Sequence, residues 1–201
     1  MTDVPTRDAA SLIQLSTVVN DIADSIVAVD ESRAPFKQFQ PGVGPYGEPQ
    51  LVRAIVERLN RAPVYAGRTR TKRCPDLLIE GAWALEIKLA RPFGDNGKEA
   101  ENWSVNLLHP YEGNVSVVGD CMKLRGLSVG ERKAVVVIGY EHTPPRIRLE
   151  PLMAAFEAIS THVCDIRLGD RIQTRRTGLV HPVHQQLLVV AWEVEPPNAI
   201  A

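Results

Sequence analysis

A chain of 201 residues, 44% hydrophobic and 23% charged, is long enough to bury a full core and has the makeup of an ordinary globular domain. Its 23 basic and 24 acidic residues leave a formal charge of −1, which excludes a wholly basic nucleic-acid binder but not a local basic patch. Cys74, Cys121 and Cys164 are far apart and odd in number, so neither a disulfide frame nor a C-x-x-C zinc site is expected. The acid-containing N-terminus lacks the order of a signal peptide, and no apolar run reaches bilayer length. The sequence predicts a soluble protein with reduced thiols in the cytoplasm, with no membrane partner.

In chain order, residues 8–29 predict an amphipathic helix with Leu12, Leu15, Val19, Ile22 and Ile26 on one side. The turn-rich connection that follows contains G-x-G-x-x-G at Gly42, Gly44 and Gly47. No good strand precedes those glycines, and Glu48 stands where a pyrophosphate would sit, so a flexible loop is expected rather than a dinucleotide site. A second helix is predicted over 48–60, with Pro49 at its first turn. Three strand candidates come next, around "PVYAG", "DLLIEG" and "WALEIKLA". A long polar loop leads to a third helix near 114–125. After it, "KAVVVIGY" is a continuous apolar run suited to a strand covered on both faces. A short helix over 150–160, strands near 163–174 and 186–194, and a frayed tail over 195–201 complete the chain. There is no internal repeat, and the pattern predicts one α/β domain over 1–201.

The stretch "CPDLLIEGAWALEIKLA", residues 74–90, places Asp76, Glu86 and Lys88 within apolar surroundings. Buried charges must be paired, neutralised or bound to a metal. Alternation along a strand points Glu86 and Lys88 to one side and Leu85, Ile87 and Leu89 to the other. A hairpin turning near Gly81 brings Asp76 beside Glu86 and Lys88. Two neighbouring carboxylates resist ionising together unless a cation joins them, and oxygen ligands of this kind suit Mg²⁺. Lys88 would then orient or deprotonate a water, or stabilise charge on a phosphate.

Pro75–Asp76, nine intervening residues, then Glu86–Ile87–Lys88, set in helix–strand–strand–strand–helix–strand order, resembles the PD-(D/E)xK nuclease superfamily. The resemblance implies a restriction-endonuclease-like αβββαβ core over about 48–140, in which a central mixed sheet is flanked by helices. Residues 1–47 would add an N-terminal helix and loop, and 141–201 a C-terminal β extension. It also implies Asp76, Glu86 and Ile87 as metal ligands, Lys88 as the catalytic lysine, and Mg²⁺ or Mn²⁺ as cofactor. The activity implied is phosphodiester hydrolysis, as a DNA endonuclease of defence or repair type; cutting both strands would need two sites and so a homodimer.

Members of that superfamily often add an acid from the helix before the first strand. Leu51, Val52, Ile55 and Leu59 mark the inward stripe, and Glu48 lies on its line whereas Glu57 falls opposite. Glu48 is therefore the fourth candidate, although the helix dipole alone also favours an acid there. On the third helix, Ser116, Asp120 and Lys123 share a face. An ordinary Asp120–Lys123 surface pair is the plainer expectation, and a phosphate contact from Lys123 the alternative. Arg68, Arg70, Lys72 and Arg73 form an acid-free basic cluster just before Asp76 and are candidate nucleic-acid contacts. Arg167, Arg171, Arg175 and Arg176 form a weaker cluster diluted by acids. The loop 91–112 offers Asn96, Lys98, Asn102, Trp103 and His109. His181 and His184, separated by Pro182, are expected at a surface turn without a third ligand. Two rival functions are a catalytically inactive nucleic-acid- or protein-binding member of the same fold, and a carboxylate-pair glycosidase. The second suits a chain with only 5% aromatics poorly.

Overall fold

The computed structural model describes residues 13–111 and 113–196. Its helices are α1 (Leu15–Asp30), α2 (Glu48–Leu59), α3 (Val105–Leu108), α4 (Val117–Gly126) and α5 (Glu150–Ala158), the last prolonged by a π-helical turn at Ile159–Val163. Its strands are β1 (Thr69–Thr71), β2 (Leu77–Ile79), β3 (Trp83–Ala90), β4 (Arg132–Glu141), β5 (Ile172–Thr177) and β6 (Gln186–Glu193). They make one mixed sheet in the order β1-β2-β3-β4-β6-β5. Only β3 and β4 run parallel, and the crossover between them carries α3 and α4. The class is α/β, as the pattern predicts.

Three layers follow from two apolar faces. The stripe of α1 (Val18, Val19, Ile22, Ile26) and that of α2 (Leu51, Val52, Ile55, Leu59) close over Leu77, Trp83, Leu85, Ile87, Val136 and Ile138. On the opposite face, Leu107, α4 and α5 cover Val135, Val137, Leu188, Val190 and Trp192. β4 lies in the middle and is buried on both sides, which accounts for its unbroken apolar run. Leu12, expected on the α1 stripe, lies outside the described residues, as does the tail from 197 onward. No described helix is long and apolar enough to cross a membrane.

Several boundaries differ from expectation. "PVYAG" is a set of turns, with Gly67 at φ +72°, and the strand falls instead at Thr69–Thr71. Tyr65 there is a buried anchor whose hydroxyl donates to Asp21 Oδ2 at 2.6 Å, a task that needs no ladder. α4 begins at Val117 because Ser116 is its N-cap, accepting from the Gly119 amide at 3.0 Å. The strand expected from 163 begins only at Ile172, because the π-helical turn and Asp165 at φ +50° occupy the earlier residues. The sheet also outgrows the expected 48–140 core: β6 pairs with β4 along eight residues, and α1 packs on β5 and β6.

The glycine loop is packed rather than flexible. Asp30 accepts from the amides of Val43 (2.9 Å) and Val180 (2.7 Å), and Arg91 donates to the carbonyls of Gly44 (2.9 Å) and Tyr46 (3.2 Å). Gly42 has φ +95°, and a Cβ there would lie 2.5 Å from Asp30 Oδ1, so the close approach depends on glycine.

Candidate active site

The hairpin turns at Gly81 (φ +69°) and pairs Ile79 with Trp83 and Leu77 with Leu85. β2 ends there, so residues 86–90 of β3 have no strand along that edge. Two carboxylates take the strand's place. Asp76 Oδ2 accepts from the Ile87 amide at 2.9 Å, and Glu48 Oε2 from the Leu89 amide at 3.1 Å. Buried backbone donors need acceptors, so these bonds satisfy the strand and fix both acids. In an extended strand the N–H and C=O of one residue share a side, which puts the Ile87 carbonyl on the same edge as Asp76.

Glu86 and Lys88 face the α4 side, as alternation requires, while Leu85 and Ile87 enter the core against α1 and α2. Glu86 is only 4% exposed, and its Oε1 has no hydrogen-bond partner. Burial, reinforced by the neighbouring Asp76 carboxyl, pushes its pKa up to about 8. The Cys74 thiol beside it rises to about 11 through burial and then the nearby Glu86. Lys88 Nζ lies 3.5 Å from Glu48 Oε1 and 3.3 Å from Asp120 Oδ2. Burial favours its neutral amine, but Glu48 and Asp120 outweigh that and raise its pKa above the usual lysine value. Lys88 is thus an ammonium held between two acids, suited to stabilising negative charge and not to accepting a proton. The Glu48 carboxyl is raised by burial, with Lys88 working against that rise.

The Asp120–Lys123 pair is not an ordinary surface pair. Asp120 is 1% exposed; it accepts from Lys123 Nζ at 2.5 Å and reaches Lys88, so both belong to the cluster. Glu57 faces water, as the helical geometry predicts. The first basic cluster divides. Arg68 donates to the Glu80 carbonyl and Arg70 pairs with the Glu80 carboxylate, both away from the acids. Lys72 and Arg73 are exposed and line one depression with Glu48 and Asp76 and another with Glu86 and Lys123. The second cluster is consumed by ion pairs: Arg167 with Glu195, Arg171 with Glu150 and Glu157, Arg175 with Glu141, and Arg176 with Asp24.

Of the loop candidates, Trp103 lines a cavity of about 450 Å³ that opens beside Glu48 and Lys88. Asn96 folds back on the Lys98 amide, and the His109 carbonyl accepts from Ser116 Oγ. His181 and His184 are not at a surface turn: they are 0% and 1% exposed, their rings stack at 4.6 Å, and Asp95 stands beside them. The apolar residues around "HPVH" carried the signal for burial, but nothing local pointed to Asp95. Comparison with protein-family models, with curated proteins and with solved structures finds no match to this chain.

Proposed function

We propose that the chain is a Mg²⁺-dependent nuclease of the restriction-endonuclease-like class that hydrolyses phosphodiester bonds, with DNA as the substrate. The observation that carries this reading is Glu86: a nearly buried carboxyl with an orphaned oxygen, set against a second carboxyl at the bare edge of a strand. Such a group fits a hard divalent cation, which would replace the proton it otherwise retains. Asp76, Glu86 and the Ile87 carbonyl would hold the ion. When bound, Mg²⁺ supplies an acidified water and positive charge at the phosphate.

The chain's own residues do the rest. Lys88 keeps its proton and presents an ammonium to the non-bridging phosphate oxygens, where charge gathers as water oxygen bonds to phosphorus and the leaving oxygen departs. Asp120 and Glu48 orient that ammonium from two sides, and Glu48 also fixes β3 through the Leu89 amide. Lys72 and Arg73 rim the cluster and would contact neighbouring phosphates, whereas Lys123 is already matched by Asp120. The order α2, β1, β2, β3, α4, β4, with β1 and β2 antiparallel and β4 parallel to β3, supports the fold assignment.

The test is cleavage of supercoiled and linear DNA with Mg²⁺ or Mn²⁺, with and without chelator. Metal-dependent cleavage is expected, and Glu86→Ala and Lys88→Ala should each lower it by about 10²–10³ while circular dichroism is unchanged. A well-folded sample that binds no divalent ion and cuts neither DNA nor RNA overturns the reading.

A further inference from the structure

We infer that Asp95, His181 and His184 form a second metal site, distinct from the carboxylate cluster, for one divalent transition ion of the zinc class. Asp95 comes from the loop after β3, and the histidines from the turn between β5 and β6. Asp95 Oδ1 lies 3.9 Å from His181 Nε2 and 3.7 Å from His184 Nδ1, and the three atoms all fall within 4.8 Å of one another. All three are buried without a hydrogen-bond partner. Those separations are too long for direct hydrogen bonds. The two Asp95 separations are a few tenths of an ångström wider than the roughly 3.4 Å between ligand atoms of a tetrahedral ion with bonds of about 2.0–2.1 Å.

Two further features support an ion. His184 Nε2 bonds the Phe93 carbonyl at 2.9 Å, which assigns that nitrogen the ring proton and leaves the Nδ1 lone pair directed inward. Gly44 leaves the space: a Cβ there would lie 2.5 Å from His184 Nδ1 and 2.9 Å from His181 Cγ. Two imidazole nitrogens and one carboxylate oxygen suit zinc and its neighbours better than Mg²⁺, which prefers oxygen alone.

The competing occupant is a single water. His181 Nδ1 faces the amides of Val183 and His184 at 3.1 and 3.2 Å, which puts that ring's proton on Nε2. One donor and two acceptors would also satisfy a water molecule. Coordination at His181 Nε2 instead moves that proton to Nδ1, and the two amides give up their contact. The ion would thereby tie the loop that walls the 450 Å³ cavity to the β5–β6 turn.

The experiment loads metal-free full-length protein with Co²⁺, then with Zn²⁺ in competition. One equivalent should bind, with the visible bands of a four-coordinate nitrogen-containing site, and Zn²⁺ should displace it and raise the melting temperature. Asp95→Asn, on a partly exposed loop, should weaken uptake at least 100-fold, and His184→Ala should abolish it. Glu86→Gln, which disables only the carboxylate cluster, should leave the bands intact. No uptake, or uptake unchanged in Asp95→Asn, overturns the proposal and leaves the water. Loss of the bands in Glu86→Gln with retention in Asp95→Asn also overturns it, by assigning the ion to the other cluster.

Discussion

Two buried polar clusters among the described residues are built in opposite ways. At the bare edge of β3, carboxylates and an ammonium face one another, with Glu86 kept partly protonated and Lys88 kept charged. Beneath the glycine loop, two neutral imidazoles stack around inward-facing nitrogens, with one carboxylate alongside. The first cluster draws Asp76, Glu86 and Lys88 from a single hairpin. The second gathers residues 44, 95, 181 and 184 from three separate segments. Burial acts on both but in opposite directions, because it always disfavours the charged form: it raises a carboxyl and lowers an imidazole.

That opposition gives the largest effect expected. With divalent ions removed by chelator, burial and then the neighbouring Asp76 carboxyl hold the Glu86 pKa up to about 8, against an ordinary value of 4.5. Between those values the folded chain holds a proton that the unfolded chain has lost, so stability falls as pH rises through this window and levels off above it. His184 does the reverse. Its folded value of about 4 lies below the ordinary 6.5, so the stability it contributes is present above pH 6.5 and lost as pH falls toward 4. Urea titrations in chelator from pH 4 to 9 should show Glu86→Gln losing the decline between pH 4.5 and 8 while keeping the acid-side loss. An identical pH profile for wild type and Glu86→Gln would mean that Glu86 ionises normally.

Gly44→Ala sharpens the comparison from the other side. The added methyl meets the His184 and His181 rings, so a destabilisation of about 1–3 kcal/mol is expected from overpacking. Metal-dependent cleavage per folded molecule should be unchanged, because Gly44 touches none of the β3 acids. A stability change below about 0.5 kcal/mol, by the same urea titration, would show that the rings have room to yield.

The sequence made one cluster legible and hid the other for the same reason. Alternation along β3 and a turn at Gly81 are local geometry, so Asp76, Glu86 and Lys88 could be placed together from spacing alone, and a helical stripe added Glu48. Asp120 was visible as one polar face of α4. Its burial depends on how α4 crosses β3 and Lys88, which no local pattern encodes. His181 and His184 read locally as a surface turn, because their burial depends on the 42–45 loop, tied down by Asp30 and Arg91 from distant segments. The class of fold was readable from apolar faces, whereas the strand at "PVYAG" failed because a buried aromatic can anchor a turn as well as a strand. Charge clusters showed the same limit: "RLGDRIQTRR" reads as a basic patch, yet each of its arginines meets a carboxylate from elsewhere in the chain.

The smallest expected effect tests that last distinction. Lys72 and Arg73 stand exposed beside the acids of the β3 edge, whereas the Arg175 and Arg176 guanidiniums are already matched by Glu141 and Asp24. Each cation that neutralises a phosphate adds about 0.9 to the slope of log affinity against log salt. Filter binding of the Lys88→Ala protein to duplex DNA in chelator, across a salt series, reads this directly. Lys72→Ala with Arg73→Ala should reduce the slope by roughly 2. Arg175→Gln should leave it alone, since the buried Glu141 carboxylate already balances that guanidinium. A slope unmoved by the first pair would place the nucleic acid elsewhere on the surface, away from the bare edge of β3.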